Sequence, residues 1–188
     1  MANEARRIVL LGPPGCGKGT QAARVSGRLG VPAISTGEML REAVAAGSEL
    51  GQAVAAIMAS GRLVDDETMA GVVRERLARQ DAREGFLLDG YPRTVPQAGT
   101  LEEVLTSQDR KLERVVLFEV PEAVLVERAL GRQRPDDTED VIRRRLEVYR
   151  EQTSPLVAHY EAAGVLRRID GSGSVETVTA ALDGALAR

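Results

Sequence analysis

The sequence predicts an α/β fold built on a five-stranded parallel sheet, and three observations point to it. Short runs of β-type residues recur along the 188-residue chain, at Arg7–Leu11, Ala33–Ile34, Gly85–Asp89, Val115–Val120 and Val165–Asp170. The segments between them carry helical periodicity, and strands that alternate with crossover helices call for parallel pairing. The first run ends in a glycine-rich turn that opens a helix.

Taken in order, the first run is continuously apolar over Ile8–Leu11, the pattern of a strand covered on both faces. A helical pattern starts near Gly19 and leads to the short run Ala33–Ile34. A doubled helix pattern across 36–64 then departs from the strand–helix alternation, with Leu50, Val54, Ile57 and Met58 on one face. Met69, Val72, Val73 and Leu77 form the next apolar stripe, followed by the strand runs Gly85–Asp89 and Val115–Val120. The arginine-rich, proline-bearing stretch 131–137 is the second departure, and both departures read as attachments to one domain. A helix over Val141–Tyr149, the strand Val165–Asp170 and a last helix after Gly171-Ser172-Gly173-Ser174 complete the chain. No internal repeat or low-complexity linker interrupts it.

Composition narrows the function. Hydrophobic residues at 43% and charged residues at 28% are ordinary for a globular domain, and a chain of this length buries roughly 70% of its unfolded surface. No apolar run approaches the ~20 residues that cross a bilayer. Ile8–Leu11 is too short for the apolar part of a signal peptide, so a cytoplasmic location is expected. One cysteine and one histidine exclude an internal disulfide and a cysteine-bound zinc. A net charge of -3 argues against nucleic-acid binding but leaves small anionic ligands open. Among the basic residues only Lys18 and Lys111 are lysines, which makes Lys18 conspicuous.

Lys18 lies in Gly12-Pro13-Pro14-Gly15-Cys16-Gly17-Lys18-Gly19-Thr20, between a strand and a helix. This is the pattern of a phosphate-binding loop. Glycines let backbone N–H groups turn inward, the helix start adds partial positive charge, and a compact ammonium reaches the outer phosphates. A nucleoside triphosphate is the expected ligand. Gly19 stands where the general pattern has Ser or Thr, which puts direct metal contact by Thr20 in doubt. Cys16 is either a small filler or a thiol made reactive by loop dipoles.

Arg145 can be read from the helical wheel. Val141, Ile142, Leu146, Val148 and Tyr149 form an apolar stripe with Arg145 near its middle, while Arg143, Arg144 and Arg150 point away. An inward arginine needs an anion, either a ligand phosphate or an acidic side chain. Asp89 ends a buried-type strand, where a carboxylate faces a ligand crevice or serves the following turn.

Gly15-Cys16-Gly17-Lys18-Gly19-Thr20-Gln21, Ser35-Thr36-Gly37-Glu38-Met39-Leu40-Arg41 and Leu88-Asp89-Gly90-Tyr91-Pro92-Arg93-Thr94 resemble, in order and spacing, the signatures of the adenylate kinase family. Gln97, Arg134-Pro135-Asp136-Asp137 and Gly173 extend the resemblance nearly end to end. It implies a three-layer P-loop fold with a helical AMP-binding insertion at 35–64 and a short lid at 131–137. The implied reaction is reversible transfer from ATP to AMP giving two ADP, with Mg2+ accompanying ATP, by a cytoplasmic monomer that balances adenine nucleotides. The short lid implies no zinc site.

The resemblance also distributes roles. Lys18, Asp89, Arg93, Arg134 and Arg145 are implied as catalytic, with Asp89 reaching magnesium through water. ATP is implied to meet Gly15, Cys16, Gly17, Lys18, Gly19, Thr20, Arg128, Arg132 and Gly173. AMP is implied to meet Thr36, Arg41, the backbone of Arg62, Leu63 and Val64, then Gly90, Tyr91, Pro92, Arg93, Gln97, Arg134 and Arg145. Thr36 and Gln97 favour an adenine acceptor. The division of roles among Arg128, Arg132 and Arg134 stays open, and Asp136 and Asp137 either hold the lid or, for Asp137, cap the next helix. Two rivals remain: a kinase of the same build that prefers CMP, UMP or GMP, and a nucleotide-binding module without catalysis.

Overall fold

The computed structural model describes residues 6–131 and 138–187. Strands β1 (Arg7–Leu11), β2 (Ala33–Ser35), β3 (Phe86–Asp89), β4 (Arg114–Glu119) and β5 (Leu166–Asp170) form one sheet in the order β2-β3-β1-β4-β5. All neighbours pair in parallel. Each strand lies within a residue of the run that predicts it. The helices are α1 (Lys18–Leu29), α2 (Thr36–Ala45), α3 (Glu49–Ala59), α4 (Asp66–Ala78), α5 (Val95–Thr106), α6 (Glu122–Gly131), α7 (Glu139–Val148), α8 (Pro155–Ala162) and α9 (Val175–Leu186). A π-helical turn, Tyr149–Thr153, links α7 to α8.

Alternation along the strands sorts the core into two layers. Val9 and Leu11 of β1 pack with Leu88 of β3, Met69 and Leu77 of α4, Leu101 of α5 and Leu156 of α8. Ile8 and Leu10 face the other way, with Leu87 of β3, Val25 of α1, Leu125 of α6, Ile142 of α7 and Leu182 of α9. A sheet covered by helices on both faces has no polar side, which is why β1, β3 and β4 are apolar through most of their length, while the edge strand β5 carries exposed Arg167 and Arg168. Each fully buried leucine or phenylalanine contributes about 1.5–3 kcal/mol relative to leaving it in water.

This layering fixes where a ligand can sit. β1 runs into α1 on one face and β3 into α5 on the other, although the two strands are neighbours with Leu10 opposite Asp89. The chain therefore divides beyond their carboxyl ends and leaves a crevice there. Lys18 follows β1 and Asp89 ends β3, so the two predicted charges flank that crevice.

The doubled pattern across 36–64 is realised as the hairpin of α2 and α3. The Ser35 hydroxyl accepts from Glu38 N to start α2, and the Ser48 hydroxyl accepts from Gly51 N to start α3. Gly51 lies against α2 so closely that a Cβ there would stand 2.0 Å from the Ala43 carbonyl oxygen. Gly51→Ala is therefore expected to force the hairpin apart and cost about 1–3 kcal/mol, seen as a lower urea midpoint. Gly99→Ala in α5, where nothing lies within 4 Å of the added methyl, is expected to stabilise by about 0.4–1 kcal/mol.

α7 is capped by Thr138, whose hydroxyl accepts from Val141 N at 3.4 Å. The capping role considered for Asp137 thus belongs to its neighbour, because the helix begins one residue later; Asp137 itself lies outside the described residues.

Candidate active site

A cleft of about 720 Å³ opens over the carboxyl ends of β1 and β3. Its floor is the β1–α1 loop, one wall is α2 with residues 61–64, and the other is formed by α7 and the loop after β5.

The loop geometry favours anions. α1 begins on Gly17 in a left-handed conformation (φ 98°) with no side-chain cap, so the first-turn N–H groups lack intrahelical acceptors. Gly15 also has positive φ, and a Cβ there would stand 2.6 Å from the Leu125 carbonyl oxygen of α6. Only glycine tolerates both constraints. Gly19 and Thr20 are exposed at the mouth of the helix. The Lys18 ammonium donates to the carbonyls of Gly12 at 2.7 Å and Pro13 at 3.1 Å, and lies 3.4 Å from Cys16 Sγ. It is held over the loop by bonds it can exchange for phosphate oxygens.

Asp89 brings a carboxylate to the cleft. A Cβ on Gly19 would lie 3.6 Å from Asp89 Oδ2, so the carboxylate faces the start of α1 across the crevice. Ionised oxygens of this kind are hard donors suited to magnesium or its waters. Among the described residues, no three His, Cys, Asp or Glu side chains gather into a metal-holding group.

Cys16 is 1% exposed and packed with Val25, Phe118 and Leu125. Burial pushes its thiol above the ordinary value, and the Lys18 charge only partly opposes that. The small-filler reading is the one this environment supports. In the folded protein at pH 7.5, Cys16 is expected to react with Ellman's reagent at least about 10-fold more slowly than in urea; equal rates in both would contradict it.

Three arginines converge on the other side. Arg41 of α2, Arg93 after β3 and Arg145 of α7 all line the cleft. Burial lowers the pKa of Arg93; Asp89 opposes that, while Arg145 and Arg41 add to it. The guanidiniums are therefore close enough to repel. The Arg93 Nε donates to the Gly90 carbonyl at 2.8 Å, and Gly37 presents bare backbone to both Arg41 and Arg93, within 3.4 and 3.9 Å of where its Cβ would be. Arg145 donates to the Met58 carbonyl at 3.5 Å and packs along Gly61. Like charges gathered beside a phosphate loop form a site for polyanions.

The residues expected on the base side line the same wall. Thr36 is 1% exposed, and its hydroxyl donates to the Asp89 carbonyl at 3.4 Å. Gly90 (φ 85°) permits that approach, since a Cβ would fall 2.7 Å from Thr36 Oγ1. Arg62, Leu63, Val64, Pro92 and Gln97 also line the cleft. Tyr91 does not join them: it is 1% exposed within the core layer of β3, where burial pushes its phenol up to about 12.

On the opposite wall the Arg128 guanidinium donates to the carbonyls of Gly171, Ser172 and Gly173, at 2.7, 2.8 and 3.2 Å. Arg128 thus braces the loop that carries Gly173, a structural task that the sequence does not announce. Arg132, Arg134, Asp136 and Asp137 lie outside the described residues. Sequence reasoning also missed Asp66, which bonds Gln97 at 2.7 Å, because an acidic residue at a helix start is unremarkable.

With this geometry in place, comparison with known proteins is informative. The family model for adenylate kinase matches residues 10–165. A protein of Synechococcus sp. (strain WH7803) named adenylate kinase is 49% identical over 182 residues, covering 97% of this chain and 99% of the relative. An adenylate kinase of Corynebacterium urealyticum is 51% identical over 175 residues, with 93% and 96% covered. One from Moorella thermoacetica is 44% identical over 213 residues, with 97% and 98% covered; that span exceeds the 188 residues here, so this relative carries an insertion.

Proposed function

The chain belongs to the adenylate kinase family and transfers a phosphoryl group between ATP and AMP; on that premise we propose how the cleft divides the work. The convergence of Arg41, Arg93 and Arg145 opposite the Lys18 loop is the observation that carries the division. Two phosphate-binding surfaces face each other across one cleft, and a phosphoryl group passing between them is surrounded by cations throughout.

ATP takes the loop side, with its outer phosphates against Lys18 and the first N–H groups of α1. Its adenine lies toward the loop braced by Arg128, near Gly173. AMP takes the α2 side, its phosphate clamped by Arg41 and Arg93 and its base toward Thr36, Gln97 and residues 62–64. Arg145 lies between and meets the group in flight. The attacking AMP oxygen is already anionic, so no general base is required, and catalysis rests on alignment and charge stabilisation. Asp89 is the residue that would hold magnesium through water. The metal, when bound with ATP, neutralises charge on the transferring oxygens.

In the same reading, residues 35–64 form the AMP-binding insertion and 131–137 a short lid, in a cytoplasmic monomer. Among the described residues no helix is long and apolar enough to cross a membrane.

Product formation from magnesium-ATP with AMP, CMP, UMP or GMP offered separately, beside a Lys18→Met control, tests acceptor choice. ADP is expected to form fastest with AMP. A faster CMP, UMP or GMP reaction would mean that Thr36 and Gln97 do not read adenine. No reaction with any acceptor would leave a nucleotide-binding module.

A further inference from the structure

Gln97 is 2% exposed, and both halves of its carboxamide are engaged. Oε1 accepts the backbone N–H of Arg93 at 2.8 Å, and Nε2 donates to Asp66 Oδ1 at 2.7 Å. The two contacts agree on one orientation, because a backbone N–H meets only the oxygen and a carboxylate only the NH2. Asp66 is itself fixed. It is the first residue of α4, and the Thr94 hydroxyl donates to its two oxygens at 3.2 Å while accepting from Gln97 N at 3.3 Å. Asp66, Thr94 and Gln97 thus close a ring of hydrogen bonds behind the cleft wall. Gln97 lines the cleft and Asp66 does not.

An amide locked in this way still has one lone pair on Oε1 and one N–H on Nε2 to offer a base. Adenine presents an amino donor beside a ring-nitrogen acceptor. Guanine presents a carbonyl acceptor beside a ring N–H donor, the same two positions with the signs reversed. A freely rotating carboxamide satisfies either by turning through 180°. A fixed one satisfies one order and sets donor against donor and acceptor against acceptor for the other.

We infer that Asp66 is a specificity-determining positioning residue: it holds the Gln97 amide in the one orientation that accepts AMP and refuses GMP. This rests on the reading of Gln97 as the residue that meets the acceptor base. Asp66 touches no substrate. Its contribution passes through Gln97, and the Arg93 N–H, which belongs to the phosphate clamp, secures the other end of the same amide. Base recognition and phosphate grip are thereby built on one side chain.

The test compares Asp66→Ala, Asp66→Asn and Gln97→Leu in the full chain, measuring kcat and KM for AMP and for GMP at saturating magnesium-ATP. α4 keeps its cap in Asp66→Ala, since the Asp65 carboxylate accepts from Thr68 N. Asp66→Ala is expected to lower kcat/KM for AMP about tenfold, chiefly through KM, and to raise GMP use relative to AMP by a similar factor. Asp66→Asn retains an oxygen that accepts from Nε2 and should keep the wild-type preference. A merely structural role predicts an equal fall with both acceptors and an unchanged ratio, and that result overturns the inference. If Gln97→Leu abolishes the preference while Asp66→Ala leaves it intact, the assignment of Asp66 fails alone. If Gln97→Leu also leaves the preference intact, the reading of Gln97 falls and takes the inference with it.

Discussion

Lys18→Met is expected to lower kcat by about three orders of magnitude while leaving the fold nearly intact. In the proposed arrangement the ammonium is the positive charge of the donor side, and its present partners are the loop carbonyls of Gly12 at 2.7 Å and Pro13 at 3.1 Å and, at 3.4 Å, Cys16 Sγ. Gly12 lines the cleft and Pro13 is half-buried, so water can take the lysine's place at these carbonyls and the stability cost is about 1 kcal/mol or less. Lys18→Arg is expected to rescue little. A planar, longer guanidinium cannot fold back over a loop this tight, and it offers a fork where a compact point charge is needed. Initial rates with magnesium-ATP and AMP, together with thermal midpoints, separate the two effects. A Lys18→Met enzyme retaining a tenth of its rate would show that the helix start alone stabilises the transferring phosphates.

The contrast between Lys18 and Arg128 shows what a sequence can and cannot disclose. Lys18 is legible because its role depends on near neighbours: a strand, glycines and a helix start, all within Ile8–Thr20. Arg128 is illegible because its partners are backbone carbonyls more than 40 residues away, and a carbonyl has no signature in sequence. The strands were legible as short runs of β-type residues bounded by turn residues, although Arg167 and Arg168 interrupt the last, and the α2–α3 pair since its stripe repeats at helical spacing. Arg145 was legible as a charge on an apolar face. Motif membership says nothing about side-chain direction: the Tyr91 phenol turns into the core while Pro92 and Arg93 line the cleft. Asp66 was hidden in Asp65-Asp66-Glu67, where attraction to the helix dipole already explains an acidic run.

Arg93→Met should divide activity from stability in opposite directions. Arg93 is held on the cleft wall with its pKa lowered by burial first; Asp89 offsets this, and the charges of Arg145 and Arg41 reinforce it. A guanidinium held that way disfavours the folded state, and replacing it with an uncharged chain of similar length relieves both burial and repulsion. The bond from Nε to the Gly90 carbonyl is lost in exchange, leaving a net gain of about 1 kcal/mol. For AMP, kcat/KM is expected to fall on the order of 10³-fold, because the forked contact to the acceptor phosphate that the proposal gives Arg93 and the alignment it provides would disappear together. KM for ATP should move by no more than about threefold, since the proposed arrangement puts the donor phosphates on the Lys18 side. Inorganic phosphate sharpens the test: it should raise the thermal midpoint of the wild type by compensating the clustered charges, and raise that of Arg93→Met much less. A variant that melts below the wild type without phosphate would mean that Asp89 and the Gly90 carbonyl already outweigh the repulsion.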